Sequence, residues 1–256
     1  MSLPLGQHQT EIERNLAAWQ SKPLLRDIYA SFYARIIGLM DRSLPGRIAE
    51  IGSGIGNLKT HVPEAVCTDL FPNPWLDLVC DGYELPFRDG SLSHLILFDV
   101  FHHLQRPAAF LREARRVLHG SGRLILFEPF MSLASLPVYG LLHHEPVALR
   151  QPIDPHEAAP SPRDYYAAQG NATRLFFKRE GLGWPAGWRV FHAEAMSSFS
   201  YLLSGGFSKP ALYPRGWLGC LRRLDGALSR WPAVFGARCL VGLQPRRQTE
   251  VASTAL

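Results

Sequence analysis

Three glycines, Gly52, Gly54 and Gly56, stand at alternate positions directly behind an apolar run that contains the acid Glu50. A strand that leads into a glycine loop and then a helix presents backbone N–H groups to a ligand at the C-terminal edge of a parallel sheet. A nicotinamide or flavin dinucleotide or S-adenosylmethionine would suit such a loop, and a tight turn without a ligand is the third possibility. A dinucleotide loop has the spacing G-x-G-x-x-G, which would put its third glycine at Asn57. The spacing therefore counts against a dehydrogenase.

Acids and histidines stand at the ends of the apolar runs that follow. Asp69 lies 17 residues after the first glycine of the loop, where a carboxylate can accept both hydroxyl hydrogen bonds of a ribose. Asp81 ends the next run, and both acids could equally be ordinary strand-end residues. His102 and His103 follow the fourth run and Glu128 ends the fifth, so each could serve as a general base for an acceptor hydroxyl. A histidine in a turn can instead bond the backbone, and Glu128 could cap a helix or pair with an arginine.

The elements that must position these residues follow from periodicity. Residues 10–42 carry apolar side chains at spacings of three and four, interrupted by Pro23, which predicts two helices. A third helix is predicted over RPAAFLREARRVLHG, with Pro107 in its first turn and Gly120 as its end. Short apolar runs predict buried strands: RIAEIG, EAVCTD, LDLVCD, SHLILFD, GRLILFEP, GWRVFHAEA and ARCLVGLQ. Strands that alternate with helices predict an α/β fold with a doubly wound, mostly parallel seven-stranded sheet.

The motifs also occur in a familiar order. AEIGSGIG, CTDL, CDGYELPFRDGSL, LFDVFHHL and EARRVLHGSGRLILFEP, taken together, closely resemble the class I S-adenosylmethionine-dependent methyltransferases, in the "type 11" subgroup that acts on small molecules and lipids. The resemblance covers about residues 46–130. It implies the Rossmann-like methyltransferase fold, S-adenosylmethionine as the cofactor, and methyl transfer as the activity.

Carried over by position, the resemblance implies a role for each residue of the cofactor site. The three glycines of the loop would let the backbone approach the methionine half of the cofactor, whose ammonium Glu50 would hold, usually indirectly. Asp69 would bind the ribose. The remaining implied contacts are adenine packing by Leu70, adenine amino recognition by Asp81 and the Gly82 backbone, and lining of the methionine side by Phe98 and Asp99. The histidine that many members have after the fourth strand corresponds to His103.

One stretch departs from the family pattern. Members usually place a helix between the second and third strands, whereas here only LFPNPW separates the two runs, and Pro72 and Pro74 forbid a helix. A parallel crossover normally takes a dozen or more residues. We therefore expect either imperfect pairing of the third strand at the sheet edge or an unusually open adenine side.

The chain divides into five predicted parts. These are a helical cap (1–45), the cofactor-binding half (46–130), a lid or substrate cover (131–186), C-terminal strands with a basic insertion (187–247), and a disordered tail (248–256). The cover is predicted because EPVALRQPIDPHEAAPSP has five prolines in 18 residues and cannot form a regular helix. The cover also contains the pair His143 and His144 followed by Glu145, which lacks a supporting ligand pattern, so no metal is expected.

Composition sets the limits of these expectations. The chain has 256 residues, of which 46% are hydrophobic and 19% charged, as is typical of a globular protein. No apolar run approaches the roughly 20 residues that span a bilayer. The four cysteines show no CxxC pair, which favours reduced thiols and a cytoplasmic location. A peripheral contact with the inner face of a membrane is the alternative location.

The acceptor must be inferred from the segments outside the resembling half. The first two helices and the region after residue 130 are rich in aromatic residues, which could line a pocket for a hydrophobic or aromatic acceptor or could simply form core. We predict methyl transfer to a small hydrophobic or aromatic metabolite or lipid-like intermediate, with an oxygen acceptor favoured. The alternatives are a catalytically silent cofactor-binding or accessory module with the same fold, and a membrane-associated lipid methyltransferase. No oligomeric state is predicted.

Basic charge is concentrated near the C-terminus. Between Ser204 and Arg247 eight basic residues face one acid, Asp225, which gives this segment a net charge of +7 in a chain of +5. Residues 215–231 place apolar side chains on one predicted helical face, with Arg223 and Arg230 opposite. We favour a helix that caps the pocket over one that lies on an anionic membrane. A nucleic-acid partner is not expected, because the fourth strand lacks the Asn/Asp-Pro-Pro-aromatic loop of nucleic-acid amino methyltransferases.

Overall fold

Two helices lead into the sheet. The computed structural model describes residues 5–137, 170–178 and 187–246. Within it, α1 (Leu5–Ser21) and α2 (Pro23–Gly38) are separated by a single residue, Lys22. Pro23 begins α2 because its fixed backbone angle and missing N–H suit the first helical turn but not a helix interior. The predicted break at this proline is confirmed.

Seven strands form the central sheet. They are β1 (Arg47–Ile51), β2 (Val66–Asp69), β3 (Leu78–Val79), β4 (Leu92–Phe98), β5 (Leu118–Pro129), β6 (Trp188–Met196) and β7 (Arg238–Pro245). Their order across the sheet is β3-β2-β1-β4-β5-β7-β6. β1 to β5 are parallel, and β7 is antiparallel to both of its neighbours. The predicted fold class and all seven predicted strands are confirmed.

Helices and turns cover both faces of the sheet. α3 (Pro107–Val117) packs on one face through Phe110 and Leu111, while α2 packs on the other. The shorter helices are α4 (Ser135–Pro137), α5 (Phe199–Leu202), α6 (Leu218–Leu228) and α7 (Pro232–Phe235), and the helical turns are Asn57–Thr60, Phe101–His103, Thr173–Phe177 and Arg215–Trp217. In the ranges that the structure describes, none of the helices combines the length and apolarity that crossing a bilayer requires.

Two local predictions were wrong. α3 ends at Val117 instead of continuing to Gly120, because Leu118 already pairs with Leu92 as the first residue of β5. The glycine loop leads into the single 3₁₀ turn Asn57–Thr60 and not into a full helix. Pro63 follows this turn closely and disfavours helical backbone at the residue before it.

The unusual connection between β2 and β3 produces a minimal edge strand. Only two residue pairs, Thr68 with Leu78 and Asp69 with Val79, join these strands in parallel. Both residues of β3 are exposed. Of the two expectations, imperfect pairing at the sheet edge is therefore the one that the structure bears out.

The strand ends that carry the candidate functional residues lie at one edge of the sheet. The parallel strands β1, β2, β4 and β5 all finish there, at Ile51, Asp69, Phe98 and Pro129. β7 runs the opposite way, so Arg238 begins at the same edge, opposite Pro129. Residues that lie far apart in the sequence therefore meet along one edge of the sheet.

Candidate active site

The glycine loop after β1 has a left-handed backbone at all three glycines. The φ angles are +70° at Gly52, +51° at Gly54 and +70° at Gly56, a region that side-chain-bearing residues rarely adopt. A Cβ atom at Gly52 would lie 2.3 Å from a methyl group of Val100, and one at Gly56 would lie 3.1 Å from the Cβ of Trp75. At Gly54 no atom lies within 4 Å of that position. The outer two glycines are therefore needed for packing, whereas the middle one leaves open space beside the loop, into which a ligand could fit.

Asp69, at the end of β2, holds this loop in place. Its Oδ2 accepts the N–H of Gly54 at 3.0 Å, and its Oδ1 accepts the N–H of Leu70 at 2.7 Å. The Nδ2 of Asn73 donates to the carbonyl of Gly54 at 3.1 Å and braces the loop from the other side. Each carboxylate oxygen can accept a further hydrogen bond, so Asp69 can anchor the loop and still receive ribose hydroxyls.

Glu50 is a buried acid beside this loop, with 2% of its surface exposed. Burial raises its pKa to about 8, and the charge of Asp69 acts in the same direction, while a hydrogen bond with Ser53 lowers the pKa. The Sγ of Cys67 also donates a weak hydrogen bond to its Oε2, at 3.9 Å. Among the residues that the structure describes, none forms an ion pair with Glu50, so the site is suited to a cationic group of a ligand.

The predicted adenine side lies beyond the end of β2. Leu70 is half-buried, and Asp81 is exposed and accepts the N–H of Tyr83 at 2.9 Å. A Cβ at Gly82 would meet only ordinary contacts, the nearest being Phe110 at 3.6 Å. The structure thus places these predicted residues where β2 and β3 end, with Asp81 accessible from solvent.

His8, on α1, joins this end of the site and was not predicted. Its ring packs 4.5 Å from the ring of Phe71, which follows β2. Burial lowers the pKa of His8, and the nearby charge of Asp69 opposes that shift. Its Nε2 is buried without a hydrogen-bond partner among the described residues. No local sequence signal marks this histidine, because its position at the site depends on how α1 packs against the distant β2.

Phe98 ends β4 inside an aromatic cluster. Its ring stacks on Tyr29 at 5.1 Å and meets Phe127 at 5.0 Å and Tyr33 at 5.3 Å. Its side chain therefore belongs to the layer between the sheet and α2. Any contact of Phe98 with the methionine side of a cofactor remains a prediction.

Asp99, the next residue, has a φ of +56° and is the only non-glycine residue with a positive φ in the described part of the chain. Its carboxylate receives a hydrogen bond from Nη1 of Arg238, the first residue of β7. The Arg238 side chain is 2% exposed and lies over aromatic rings, with Tyr201 at 4.5 Å. Arg238 is one of the eight basic residues counted between Ser204 and Arg247, and the structure buries it at the site. Strained backbone of this kind commonly marks functional sites.

Glu128, a predicted general base, is fully buried and already occupied. It accepts the backbone N–H groups of Val100 at 3.0 Å, Phe101 at 2.8 Å and His102 at 3.2 Å. It also bonds Nδ1 of His102 at 2.6 Å. These contacts favour an anchoring role over proton abstraction. His102 is buried with Glu128, whereas His103 is half-buried, with its ring 3.9 Å from that of His102.

Asp99, His102 and Glu128 bring ligand atoms within 4.8 Å of one another, a spacing that a metal ion could use. The carboxylates are committed, however, to Arg238 and to the turn after β4. A cation would have to displace those bonds, so we interpret the group as a hydrogen-bonded network. The absence of a metal stays a prediction, and His143, His144 and Glu145 lie outside the described residues.

Part of the predicted cover packs against the same turn. Nδ2 of Asn171 donates to the carbonyls of Phe101 and Leu104, both at 2.8 Å. The hydroxyl of Thr173 accepts the N–H of Met131 at 3.0 Å. Most of segment 131–186, including the proline-rich stretch, and the tail 248–256 lie outside the described residues.

Comparison with known proteins agrees with this geometry. Residues 50–126 match a family model described as a methyltransferase domain. The chain therefore contains a methyltransferase domain. A solved structure from Thermotoga maritima, described as a SAM-dependent methyltransferase and possible histamine N-methyltransferase, superimposes with a TM-score of 0.52 at 15% identity, covering 93% of this chain and 99% of that one. At that identity the likeness supports the fold of the methyltransferase domain.

Two curated relatives match shorter stretches of the methyltransferase. Human probable tRNA methyltransferase 9B is 28% identical over 121 residues, which are 41% of this chain and 26% of that protein. A probable S-adenosylmethionine-dependent methyltransferase of Mycobacterium tuberculosis is 46% identical over 46 residues, 18% of this chain and 17% of that protein. The chain therefore spans about a quarter or less of the length of these relatives.

S-adenosylmethionine is the cofactor of this domain class, and the residues present fit it. The open backbone of Gly54 can accommodate the methionine half, and the uncompensated carboxyl of Glu50 suits its ammonium. Asp69 retains capacity for the ribose hydroxyls. The predicted recognition and cofactor are confirmed, while the individual residue roles stay predictions.

Proposed function

We propose that the protein transfers the methyl group of S-adenosylmethionine to a small hydrophobic or aromatic metabolite or lipid-like intermediate. The observation that carries the proposal is the cradle at the ends of β1 and β2. There, open space beside Gly54 accompanies a buried acid, Glu50, which forms no ion pair with any described residue, and an acid that still has acceptor capacity, Asp69. A domain that had lost its cofactor would have no reason to keep this combination of strained glycines and a buried acid.

The acceptor class is argued from the aromatic cluster at the ends of β4 and β5. Rings from α2, the sheet and the segment after β6 pack together there: Tyr29, Phe32, Tyr33, Phe98, Phe127, Tyr201 and Phe207. Burial raises the pKa values of Tyr29 and Tyr33 well above the usual tyrosine value, so both phenols stay neutral. We propose that this cluster of neutral rings, which packs as core between the sheet and α2, also borders the acceptor, and such a surface favours an apolar or aromatic acceptor over a charged one.

The chemistry needs little from the protein beyond alignment and the exclusion of water. When bound, S-adenosylmethionine supplies a methyl group on a positively charged sulfur, to which the acceptor atom must be aligned in line. For a hydroxyl acceptor we propose His103 as the group that takes the proton, because it is less buried than its neighbour His102. Glu128 would act as a positioning residue, holding the turn that carries both histidines.

Three other functions compete with this proposal. A silent cofactor-binding module would keep the cradle but transfer nothing, and a membrane-associated lipid methyltransferase would share the chemistry but take its acceptor from a bilayer. A tRNA acceptor is suggested by the name of the human relative, but that match spans only 41% of this chain and 26% of that protein. The aromatic lining favours the small hydrophobic acceptor.

Replacement of Asp69 by Asn tests the cofactor site. The amide offers one acceptor oxygen where the acid offers two, so it cannot serve the Gly54 and Leu70 N–H groups and the ribose together. We expect cofactor affinity in calorimetry to fall at least about tenfold, or about 1.4 kcal/mol. Asp77→Asn is the matched control, because Asp77 also accepts a backbone N–H, from Cys67 at 2.8 Å, beside the same strand. Equal affinity of both variants would refute the site.

A second experiment separates the enzyme from the silent module. The protein is incubated with methyl-labelled S-adenosylmethionine and an organic-solvent extract of cells, and products are sought by mass spectrometry. We expect a labelled, organic-soluble product in which a methyl group has replaced one hydrogen atom of the acceptor, with the corresponding increase in mass. Label in tRNA alone would transfer the assignment to nucleic acid, and tight cofactor binding with no label in any fraction would identify a silent module.

A further inference from the structure

The segment between β6 and β7 leaves large apolar side chains in contact with solvent. Trp217 and Trp231 are 64% and 58% exposed, and Leu212 is 75% exposed. Leu224 and Val234 are exposed between them, on α6 and α7. We call these five residues the apolar face. Single exposed apolar residues are common, but two tryptophans and three aliphatic residues on neighbouring elements mark an interaction surface.

The apolar face is exposed because α6 is attached to the protein through a polar residue. Asp225 is buried and accepts the N–H groups of Phe199 at 2.6 Å and Ser200 at 3.1 Å, together with the hydroxyl of Ser197 at 3.0 Å. Leu218 is the other buried residue of α6. The apolar spacing of residues 215–231 predicted one buried helical side that includes Trp217, Leu224 and Trp231. The structure leaves these three side chains exposed, so that side of the helix does not pack as a unit against the rest of the protein.

The charges around the apolar face have one sign. Asp225 is the only acid between Ser204 and Arg247, and its burial removes it from the surface. Arg215 is neutralised by Asp27, which lies on α2. The remaining exposed basic residues of the described segment are Lys209, Arg222, Arg223 and Arg230. The charges that this segment leaves exposed and unpaired in its described part are thus all basic, and exposed apolar side chains accompanied by basic ones complement a surface that is apolar inside and anionic outside.

The apolar face continues to the active-site edge of the sheet. The N–H groups of Leu133 and Ala134 donate to the carbonyls of Ala233 and Val234, at 3.2 and 2.9 Å, which places the exposed Leu133 beside α7. α7 in turn leads within three residues to Arg238 at the start of β7. The apolar face therefore borders the edge of the sheet at which the aromatic cluster lies.

We propose that the apolar face and its four basic residues dock the protein on an anionic lipid bilayer. Tryptophan prefers the headgroup level, aliphatic residues enter the acyl boundary, and arginine and lysine bind anionic headgroups. A nucleic acid would use the cations but would gain nothing from exposed Leu212, Leu224 and Val234. Docking is independent of methyl transfer, so its test and the tests of the proposed function can fail separately.

Vesicle sedimentation tests the docking. The full chain is mixed with phosphatidylcholine vesicles, with and without phosphatidylglycerol. We expect the protein to sediment with the anionic vesicles and to be released by salt. Trp217→Ser/Trp231→Ser and Arg223→Glu/Arg230→Glu should each weaken binding at least about tenfold, a loss of about 1.4 kcal/mol. Matched controls at a different surface, Val79→Ser and Arg88→Glu, replace an exposed apolar and an exposed basic residue and should bind as the wild type does.

Each other outcome overturns the proposal. Wild-type protein that stays in the supernatant, binding equally to neutral vesicles, or binding that the four substitutions leave unchanged would each do so. A dimer in light scattering that dissociates in the tryptophan variant, without vesicle binding, would assign the apolar face to a second copy of the chain. Binding of an RNA duplex without vesicle binding would assign the charges to nucleic acid. Thermal melts of all variants confirm that the fold is intact.

Discussion

Gly54→Ala separates the cost of a strained backbone from the loss of a ligand contact. The φ of Gly54 is +51°, and an added Cβ would meet no atom within 4 Å, so the substitution adds backbone strain without a clash. Left-handed backbone costs a residue with a Cβ about 1–2 kcal/mol. For a chain of this size, a loss of about 1 kcal/mol lowers the Tm by roughly 2–4 °C. The free energy of unfolding should therefore fall by about 1–2 kcal/mol.

The same substitution should also lower the affinity for the cofactor. The new methyl group would occupy the space through which the open backbone meets the methionine half, so we expect the Kd for S-adenosylmethionine to rise at least about tenfold. Calorimetry measures this directly, and the shift of Tm at saturating cofactor measures it independently, since a ligand that binds the folded state raises stability in proportion to its affinity.

Gly90 provides the matched control. Its φ is +64°, a Cβ there also meets nothing within 4 Å, and it lies before β4 at the opposite edge of the sheet. Gly90→Ala should lower the Tm about as much as Gly54→Ala and leave the Kd unchanged. If both variants bind the cofactor equally well at the same loss of Tm, the reasoning that places the cofactor against the glycine loop is refuted.

Three further predictions concern buried charges. Because burial raises the pKa of Glu50 to about 8, a cofactor ammonium must displace its proton, and cofactor affinity should rise from about pH 6 to about pH 7.5 relative to Glu50→Gln. The Tm of the wild type should fall relative to that variant between about pH 5 and about pH 8, where the folded state holds a proton that the unfolded state has released, and should level off above that range. Asp225→Asn should cost about 1–3 kcal/mol in urea unfolding, because it leaves buried N–H groups short of acceptors, whereas Asp89→Asn, at a side chain 80% exposed, should cost under about 1 kcal/mol. Arg238→Met should cost about 3–5 kcal/mol by leaving Asp99 unpaired, and adding Asp99→Asn should recover part of that loss; equal losses in the single and double variants would contradict the buried pair.

The sequence allowed the sheet and the cofactor end of the site to be predicted because both depend on local pattern. Each strand of the sheet is a continuous apolar run, and β4 is buried at every residue from Leu92 to Phe98. The positions of Glu50 and Asp69 follow from the ends of such runs. Once the strands are parallel and adjacent, their terminal residues must meet at one edge.

The contacts that sequence reasoning missed all join distant segments. His8 reaches Phe71 only because α1 packs near the end of β2. Asp99 and Arg238 are 139 residues apart. The orientation of α6 was mispredicted for a related reason: its apolar spacing suggested a buried face, but the hydrogen-bonding demand at Asp225 decided which side turned inward. Apolar periodicity shows which face of a helix can be buried, but not which hydrogen-bonding groups the neighbouring elements present to that helix.

This division between local and distant contacts explains why the donor side of the methyltransferase is better defined than its acceptor. The matched residues 50–126 contain the cradle, whereas the aromatic cluster draws Tyr29, Tyr201 and Phe207 from outside that range. At its centre, Asp99 and Arg238 neutralise each other. A charged acceptor would have to compete with a buried ion pair to gain a partner, and breaking such a pair is costly. A neutral acceptor faces no such competition, so this pair, which the sequence did not reveal, supports the proposed uncharged, apolar acceptor.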